Sequence, residues 1–232
     1  HGVLYGAVEF YQKAKKRGMK PLIGCELYLT DGVLTNRGAG MRENRYHLLV
    51  IAESDTGYRN LIQLVTRAHL EGFYYKPRID KPTLAAYSEG LIGFSSCLSG
   101  EIPRAILAGN LERAKTLVRE YQTIFGEQNF FLELQHHPNI PEQGRVNETL
   151  KTLSRELGAP LVATNDVHYV RPDDADAQDI LMCVQTGTRV DDEERLSIKG
   201  DNFSLRAPAE FAEAFADVPE SLTNTVKIAE RC

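Results

Sequence analysis

Short apolar segments suited to buried strands alternate with helical segments along most of this chain. The strand-like segments are residues 20–30, 46–52, 90–95, 129–135 and 159–165. Helical segments are predicted at residues 6–17, 54–69, 102–107 and 175–184. Two longer helices are also predicted, one that begins after the capping residue Asn110 and one that carries Val146, Leu150 and Leu153. A polar, glycine-rich connection at residues 31–44 separates the first two strands. This alternation predicts an α/β fold built on a parallel sheet.

Length and composition restrict the class of protein further. The chain has 232 residues, 42% of them hydrophobic and 25% charged, which excludes fibrous, collagen-like and broadly disordered proteins. An α/β barrel of this length commonly forms one unit. The longest apolar stretch, residues 48–52, is far too short to span a bilayer, so we expect no membrane partner. After residue 187 the alternation stops, and two short amphipathic helices near the end predict a junction.

Cysteine spacing and charge limit the partners and the compartment. The four cysteines are Cys25, Cys97, Cys183 and Cys232, with no Cys-x-x-Cys pair among them. Their spacing argues against a zinc ribbon or a disulfide scaffold and predicts a reducing cytoplasm. The net charge of −5 argues against a domain that holds nucleic acid alone, because that usually needs a basic face.

Side chains able to bind a metal lie late in the first predicted strand or just beyond the end of three others. They are Glu26, Cys97, the pair His136 and His137, and Asp166 with His168. In parallel α/β folds the chemistry collects at the carboxyl ends of the strands. The sequence therefore predicts a metal site at this edge of the sheet.

The individual signals differ in strength. Asp166 and His168 point to the same side of an extended segment, although by itself such a pair also fits a surface turn. Glu26 lies in an apolar strand, where an unpaired carboxylate is costly to bury and needs a cation. Cys97 also fits an inert buried thiol. His47 begins its strand, which predicts that it lies at the opposite edge of the sheet with a core or edge role.

Three further residues carry weaker expectations. His69, near the end of its helix, is interpreted as structural, because an imidazolium there suits the helix dipole. Lys76 and Arg78, in the aromatic loop GFYYKPR, are candidates for contact with phosphate or with a partner.

Several longer motifs resemble one known family. They are HGVLYGAVEFYQKAKKRGMKPLIGCELYL, YHLLVIAESDTGYRNL, GFYYKPRID, GLIGFSSCLSGEIP, FFLELQHH, LVATNDVHYV and NTVKIAERC. Together they resemble the polymerase-and-histidinol-phosphatase (PHP) domain family, in the branch found at the start of the bacterial replicative DNA polymerase III alpha subunit. The resemblance covers essentially the whole chain.

The resemblance implies a fold and a ligand set. The fold would be a distorted (βα)7 TIM-like barrel whose strand ends hold up to three divalent metal ions, Zn²⁺ or Mn²⁺. Motif matching implies as metal ligands His1, Glu26, His47, Cys97, His137, Asp166 and His168. Asp166, His168 and Glu26 would carry the catalysis. His136 stays an alternative to His137, because the motif after the ELQ strand departs from the family pattern.

The resemblance also implies a division of the chain. Residues 1–200 would form the barrel without its first strand, because the chain begins inside the second family motif, and residues 201–232 would form a helical junction leading toward the polymerase body. We therefore expect weak metal occupancy and little activity from these residues alone.

The implied function is that of a metal-dependent phosphoesterase within a DNA-directed DNA polymerase, a 3′→5′ exonuclease that proofreads the primer strand. Its partners would be the DNA primer-template and other replicase subunits, such as a separate proofreading exonuclease subunit. The alternative is a non-catalytic scaffold that stabilises the polymerase and docks that exonuclease subunit. A free-standing phosphatase fits the motifs less well.

Overall fold

The computed structural model describes residues 1–36 and 45–232, so that part of the predicted polar connection, residues 37–44, lies outside the described residues. Within those ranges the six strands are β1 (Gly24–Thr30), β2 (Arg45–Ala52), β3 (Arg78–Ile79), β4 (Leu91–Phe94), β5 (Phe130–Gln135) and β6 (Leu161–Thr164). The nine α-helices of the same ranges are α1 (Ala7–Lys16), α2 (Asp55–Leu70), α3 (Lys81–Ala86), α4 (Glu101–Leu107), α5 (Leu111–Phe125), α6 (Pro141–Leu157), α7 (Ala175–Thr186), α8 (Pro208–Ala214) and α9 (Pro219–Arg231). The predicted alternation is confirmed, and the sequence pattern missed β3 and α3.

The strands form one sheet in the order β3-β1-β2-β4-β5-β6. β3 pairs parallel to β1, and β4, β5 and β6 pair parallel to one another. β2 is antiparallel to both of its neighbours, β1 and β4, so the prediction of a wholly parallel sheet is wrong at this strand. Across the described residues the sheet is open between β3 and β6, and the predicted seven-stranded barrel is not confirmed.

Two helices begin at the polar caps that the sequence indicated. The Ser54 Oγ accepts a hydrogen bond from the Gly57 N–H at 3.1 Å, at the start of α2. The Asn110 Oδ1 accepts one from the Arg113 N–H at 3.0 Å, at the start of α5. Each cap satisfies an amide that has no partner within its own helix, which fixes where the helix starts.

Successive residues of the central strands point to opposite faces of the sheet. In β5, Phe130 and Leu132 belong to the larger apolar core, whereas Phe131 belongs to a smaller cluster on the other face. Ile228 of α9 completes that smaller cluster. All six residues of β5 are buried, although the segment FFLELQ includes the polar residues Glu133 and Gln135.

The last helix packs directly on the sheet. The Asn224 Nδ2 donates to the Leu161 carbonyl oxygen at 2.8 Å, and the Arg231 Nε donates to the Glu53 Oε1 at 2.9 Å. Residues 201–232, predicted as a junction, therefore contribute side chains such as Phe215, Val218 and Ile228 to the same apolar clusters as the strands. Among the described residues no helix combines the length and the apolar character needed to cross a membrane.

Candidate metal centre

Three side chains with metal-binding atoms meet at one point of the sheet. One ligand atom from each of His1, Glu26 and His47 lies within 4.8 Å of the other two. The Nδ1 of His1 contacts the Oε2 of Glu26, and the Nδ1 of His47 lies 3.1 Å from the Oε1 of Glu26. A carboxylate between two imidazoles is a donor set that suits first-row transition metals.

The backbone next to His1 is fixed by two hydrogen bonds. The Gly2 N–H donates to the Glu26 carbonyl oxygen at 2.7 Å, and the Nε2 of His69 donates to the Gly2 carbonyl oxygen at 2.9 Å. Gly2 has a φ of +70°, and an added Cβ would lie 2.6 Å from the Cγ of Pro77. Only glycine fits this position without displacement. His69 thus has the structural role that the sequence indicated.

His47 reaches the centre because β2 runs opposite to its neighbours. Its Cα pairs with Tyr28 in β1, two residues beyond Glu26. The start of β2 therefore lies beside the carboxyl ends of β1 and β4. The expectation that His47 lies at the opposite edge is wrong, because it assumed that all strands are parallel.

Glu26 stays ionised although it is largely buried. Burial by itself would raise its pKa, but hydrogen bonds from His1 and His47 hold the pKa of this carboxyl well below its usual range. The same hydrogen bond raises the pKa of His1 above its ordinary value. In the absence of a cation the carboxylate thus favours the charged form of His1.

Two residues after β4 complete this side of the centre. The Ser96 Oγ donates to the Glu26 Oε1 at 3.1 Å, and Ser96 adopts a φ of +65°, which is uncommon for a residue other than glycine. The Sγ of Cys97 lies 3.5 Å from the Nδ1 of His47. Burial, followed by the charge of Glu26, raises the pKa of the Cys97 thiol to about 12, so the thiol keeps its proton.

Asp166 and His168 lie directly after β6. They line the same cleft as His1 and Glu26, although within the described residues they are not part of the close three-residue group. The Nδ1–H of His168 donates to the Asp166 backbone oxygen at 2.8 Å, which leaves Nε2 as the ring nitrogen able to bind a metal. Burial raises the pKa of Asp166, which has a φ of +47°.

His137 is buried, and its ring packs against Phe203. Their rings stack, and burial lowers the pKa of His137 to about 4. Neither ring nitrogen has a hydrogen-bond partner among the described residues. His136 is less buried and meets the ring of Phe215 edge-on at 6.1 Å. The His137 ring is thus the one that points inward.

The loop that carries these two histidines and the loop after β6 are both hydrogen-bonded to the segment around residues 201–203. The Asn139 N–H donates to the Asp201 Oδ2 at 2.7 Å, and the His168 N–H donates to the Phe203 carbonyl oxygen at 2.9 Å. Residues 201 and 203 thus connect the loop after β5 and the loop after β6 to one segment through hydrogen bonds.

The cleft has a volume of about 370 Å³ and is lined by three carboxylates, those of Glu26, Glu133 and Asp166. The sequence analysis missed Glu133. The available signal was the one applied to Glu26, a carboxylate within an apolar strand. Glu133 is 4% exposed, and its Oε2 has no hydrogen-bond partner within residues 1–36 and 45–232.

The residues present fit divalent cations. Buried polar atoms that lack partners in the described parts of the chain include Glu133 Oε2 in β5, both ring nitrogens of His137 after β5 and Asn165 Oδ1 after β6; of these residues, Glu133 lines the cleft. Such atoms are costly to bury unless something satisfies them. A bound cation would satisfy oxygen and nitrogen acceptors and offset the charge of three carboxylates.

The two basic side chains of the aromatic loop differ in their surroundings. Lys76 is exposed, and its Nζ lies 5.8 Å from the centroid of the Tyr28 ring, which in turn stacks on His1. Arg78 is fully buried, and its Nε donates to the Gly72 carbonyl oxygen at 3.0 Å. The expectation of a phosphate contact is therefore wrong for Arg78.

Comparison with known proteins gives a consistent result. Residues 1–137 match the family described as PHP domain. Over the whole length of the present chain, it is 48% identical to DNA polymerase III subunit alpha of Borreliella burgdorferi and 43% identical to that of Treponema pallidum. It is 44% identical to the same subunit of Thermus aquaticus. The chain spans about a fifth of the length of these curated relatives, 19% to 20%.

Proposed function

Because the chain belongs to the PHP domain family, as represented in DNA polymerase III alpha subunits, we propose that its cleft binds divalent cations and hydrolyses phosphodiesters. The proposal rests mainly on one observation. The ligand atoms of His1, Glu26 and His47 lie within 4.8 Å of one another, and His1 and Glu26 line a cleft with two further carboxylates.

The proposed ligands are those implied by the motifs: His1, Glu26, His47, Cys97, His137, Asp166 and His168. Imidazole and carboxylate donors favour Zn²⁺ or Mn²⁺ over Mg²⁺ or Ca²⁺, and we propose up to three ions in the intact domain. Bound divalent cations lower the pKa of water and offset the charge of a phosphodiester.

The side chains of the cleft prepare it for that chemistry. Glu26 accepts from His1 and His47 and so orients both rings toward one point. The hydrogen bond from Nδ1 of His168 to the Asp166 carbonyl keeps Nε2 free for binding. Asp166 supplies a carboxylate whose pKa is raised by burial, so that a cation would compete with a proton for it. These residues bind and orient, and no nucleophilic side chain is required.

The proposed substrate is the 3′ end of a primer strand, which makes the domain a proofreading 3′→5′ exonuclease within a replicative polymerase. The relatives carry the name of a polymerase subunit five times the length of this chain, which supports a role beside DNA and other replicase subunits. Because the chain carries a net charge of −5, we propose that the rest of the protein supplies most of the DNA contacts.

We further propose that the intact domain is a distorted (βα)7 barrel in residues 1–200, with a junction in residues 201–232. The open edges at β3 and β6 are compatible with a further strand between them. The free thiols of all four cysteines agree with a reducing cytoplasm as the place of action.

The test is the Asp166→Asn variant of the full-length protein, compared with Asp173→Asn, which removes an exposed carboxylate outside the cleft. Release of nucleotides from a labelled primer is measured with Mn²⁺ or Zn²⁺, beside primer extension. We expect Asp166→Asn to lower nucleotide release at least 100-fold and to retain extension, whereas Asp173→Asn resembles the wild type. Unchanged nucleotide release in Asp166→Asn would contradict the proposal and favour the scaffold.

A further inference from the structure

Glu133 occupies the middle of β5, a strand in which every residue is buried. Its side chain nevertheless lines the cleft, together with Glu26 and Asp166. Among the residues that a motif comparison singles out as ligands, Glu133 has no place. Its position therefore needs an explanation of its own.

The two oxygens of Glu133 have different surroundings. Its Oε1 accepts a hydrogen bond from the Thr164 Oγ1 at 2.5 Å and another from the Gln135 Nε2 at 2.9 Å. Its Oε2 is buried and, within the described chain, has no hydrogen-bond partner. The two donors to Oε1 fix the orientation of the carboxyl group, and Oε2 remains available to bind a ligand. An acceptor left without a partner in the interior destabilises the fold.

The charges that face Glu133 come from neighbouring elements of the cleft. The pKa of Glu133 is raised to about 7, mainly by burial and to a smaller extent by the carboxylates of Asp166 and Glu26, while the hydrogen bonds from Thr164 and Gln135 oppose the rise. His1 and His168 are the basic groups that line the same cleft. Three carboxylates around one small volume repel one another unless a cation enters.

We propose that Glu133 is a further carboxylate of the cation site, which takes part through Oε2 in holding a divalent cation in the cleft. This inference rests on the proposed function, because it assumes that the cleft binds cations. The alternative is a neutral structural acid that only links β5 to β6. A glutamine oxygen would accept the same two hydrogen bonds, so Glu133→Gln separates the two roles.

The experiment is calorimetric titration of the full-length protein with Mn²⁺ at pH 7, in two buffers of different ionisation enthalpy. It yields the dissociation constant and the number of protons released per cation. The matched control is Glu101→Gln. Glu101 is also buried, but it binds Lys81, Arg113 and Tyr121 away from the cleft.

We expect the wild type to release protons on binding Mn²⁺ and Glu133→Gln to bind it at least tenfold more weakly. Glu133→Gln would also release about half a proton fewer per cation, because a group with a pKa near 7 is about half protonated at pH 7. Glu133→Asp, which keeps the charge, is expected to retain the proton release even where Glu133→Gln folds poorly. Glu101→Gln would match the wild type.

The outcomes separate the two proposals. Equal affinity and equal proton release in Glu133→Gln and the wild type would overturn the role of Glu133, while Mn²⁺ binding by the wild type would still support the proposed function. Absence of Mn²⁺ binding in the wild type would overturn both.

Discussion

The imidazole ring of His137 stacks on the phenyl ring of Phe203, with the ring centroids 4.1 Å apart and the planes inclined by 24°. The same phenyl ring meets the ring of His168 edge-on, at 5.3 Å. Phe203 belongs to the segment that follows the polar stretch after α7. That segment therefore forms part of the surroundings of two proposed ligands.

Replacing Phe203 by alanine should affect both stability and His137. We expect Phe203→Ala to lower the free energy of unfolding by about 3 kcal/mol, the usual cost of removing a buried phenyl ring. It should also raise the pKa of His137 from about 4 toward its ordinary value, since burial is the main cause of the low pKa. Urea denaturation and an NMR titration of the imidazole proton measure the two effects.

The control for this variant is Phe10→Ala, because Phe10 lies on α1 and is 53% exposed. It should change neither quantity appreciably. A His137 pKa that stays near 4 in Phe203→Ala would contradict the prediction.

Replacing Glu26 by glutamine should disrupt the three-residue group. We expect Glu26→Gln to weaken Mn²⁺ binding more than tenfold and to lower the pKa of His1, because the hydrogen bond to the carboxylate is the main cause that raises it. Electron paramagnetic resonance of free Mn²⁺ and an NMR titration of His1 provide the measurements. Glu53→Gln, which removes a carboxylate bound to Arg231 instead, serves as the control. Wild-type affinity in Glu26→Gln would disprove this role.

Without a cation, the stability of the protein should depend on pH through Glu133. Its folded-state pKa, about 7, is higher than the ordinary value of 4.5, so the folded state binds the proton more tightly than the unfolded state. The stabilisation is complete below pH 4.5 and disappears as the pH rises through 7. We expect Glu133→Gln to lack this loss, which is about 3 kcal/mol.

Urea denaturation in the presence of a chelator, at pH 5 and at pH 8, tests this dependence. The difference between the two pH values should be larger in the wild type than in Glu133→Gln. Equal differences in the two proteins would show that the proton on Glu133 does not stabilise the fold.

Gly57 and Gly144 should respond in opposite ways to alanine. A Cβ on Gly57, in the first turn of α2, would lie 1.7 Å from the Gly90 carbonyl oxygen, whereas one on Gly144 would meet nothing within 4 Å. We expect Gly57→Ala to destabilise the protein by about 3 kcal/mol, because the backbone must move. Gly144→Ala in α6 should stabilise it by about 0.5 kcal/mol. Thermal unfolding of both variants tests the contrast, and equal shifts would refute it.

Local sequence patterns predicted most helices and strands, but they could not predict that β2 runs antiparallel to its neighbours. The apolar run of that strand reads the same in either direction, and the sheet order depends on contacts between segments distant in sequence. For this reason the position of His47 required the structure. β3 is only two residues long, which is too short for any periodicity to show.

The sequence could predict those residues of the candidate site that are polar side chains near the end of a predicted strand. Glu26, Asp166 and His168 line one cleft, whereas Cys97, His136 and His137, which the same argument placed there, are not among the described residues that line it. That these residues bind a metal stays a prediction. Glu133 was missed because its neighbours Leu132 and Leu134 made the strand look purely structural. Phe203 was missed because its contact with His137 joins positions far apart in the chain, which no local pattern records.

The attachment of two loops to residues 201 and 203 has a dynamic consequence. The amides of Asn139 and His168 donate to Asp201 and Phe203, respectively. A fluctuation that lifts this segment exposes both amides to solvent in the same event. Their hydrogen-exchange rates should therefore be similar and should change together, so that the loops after β5 and β6 open as one cooperative unit.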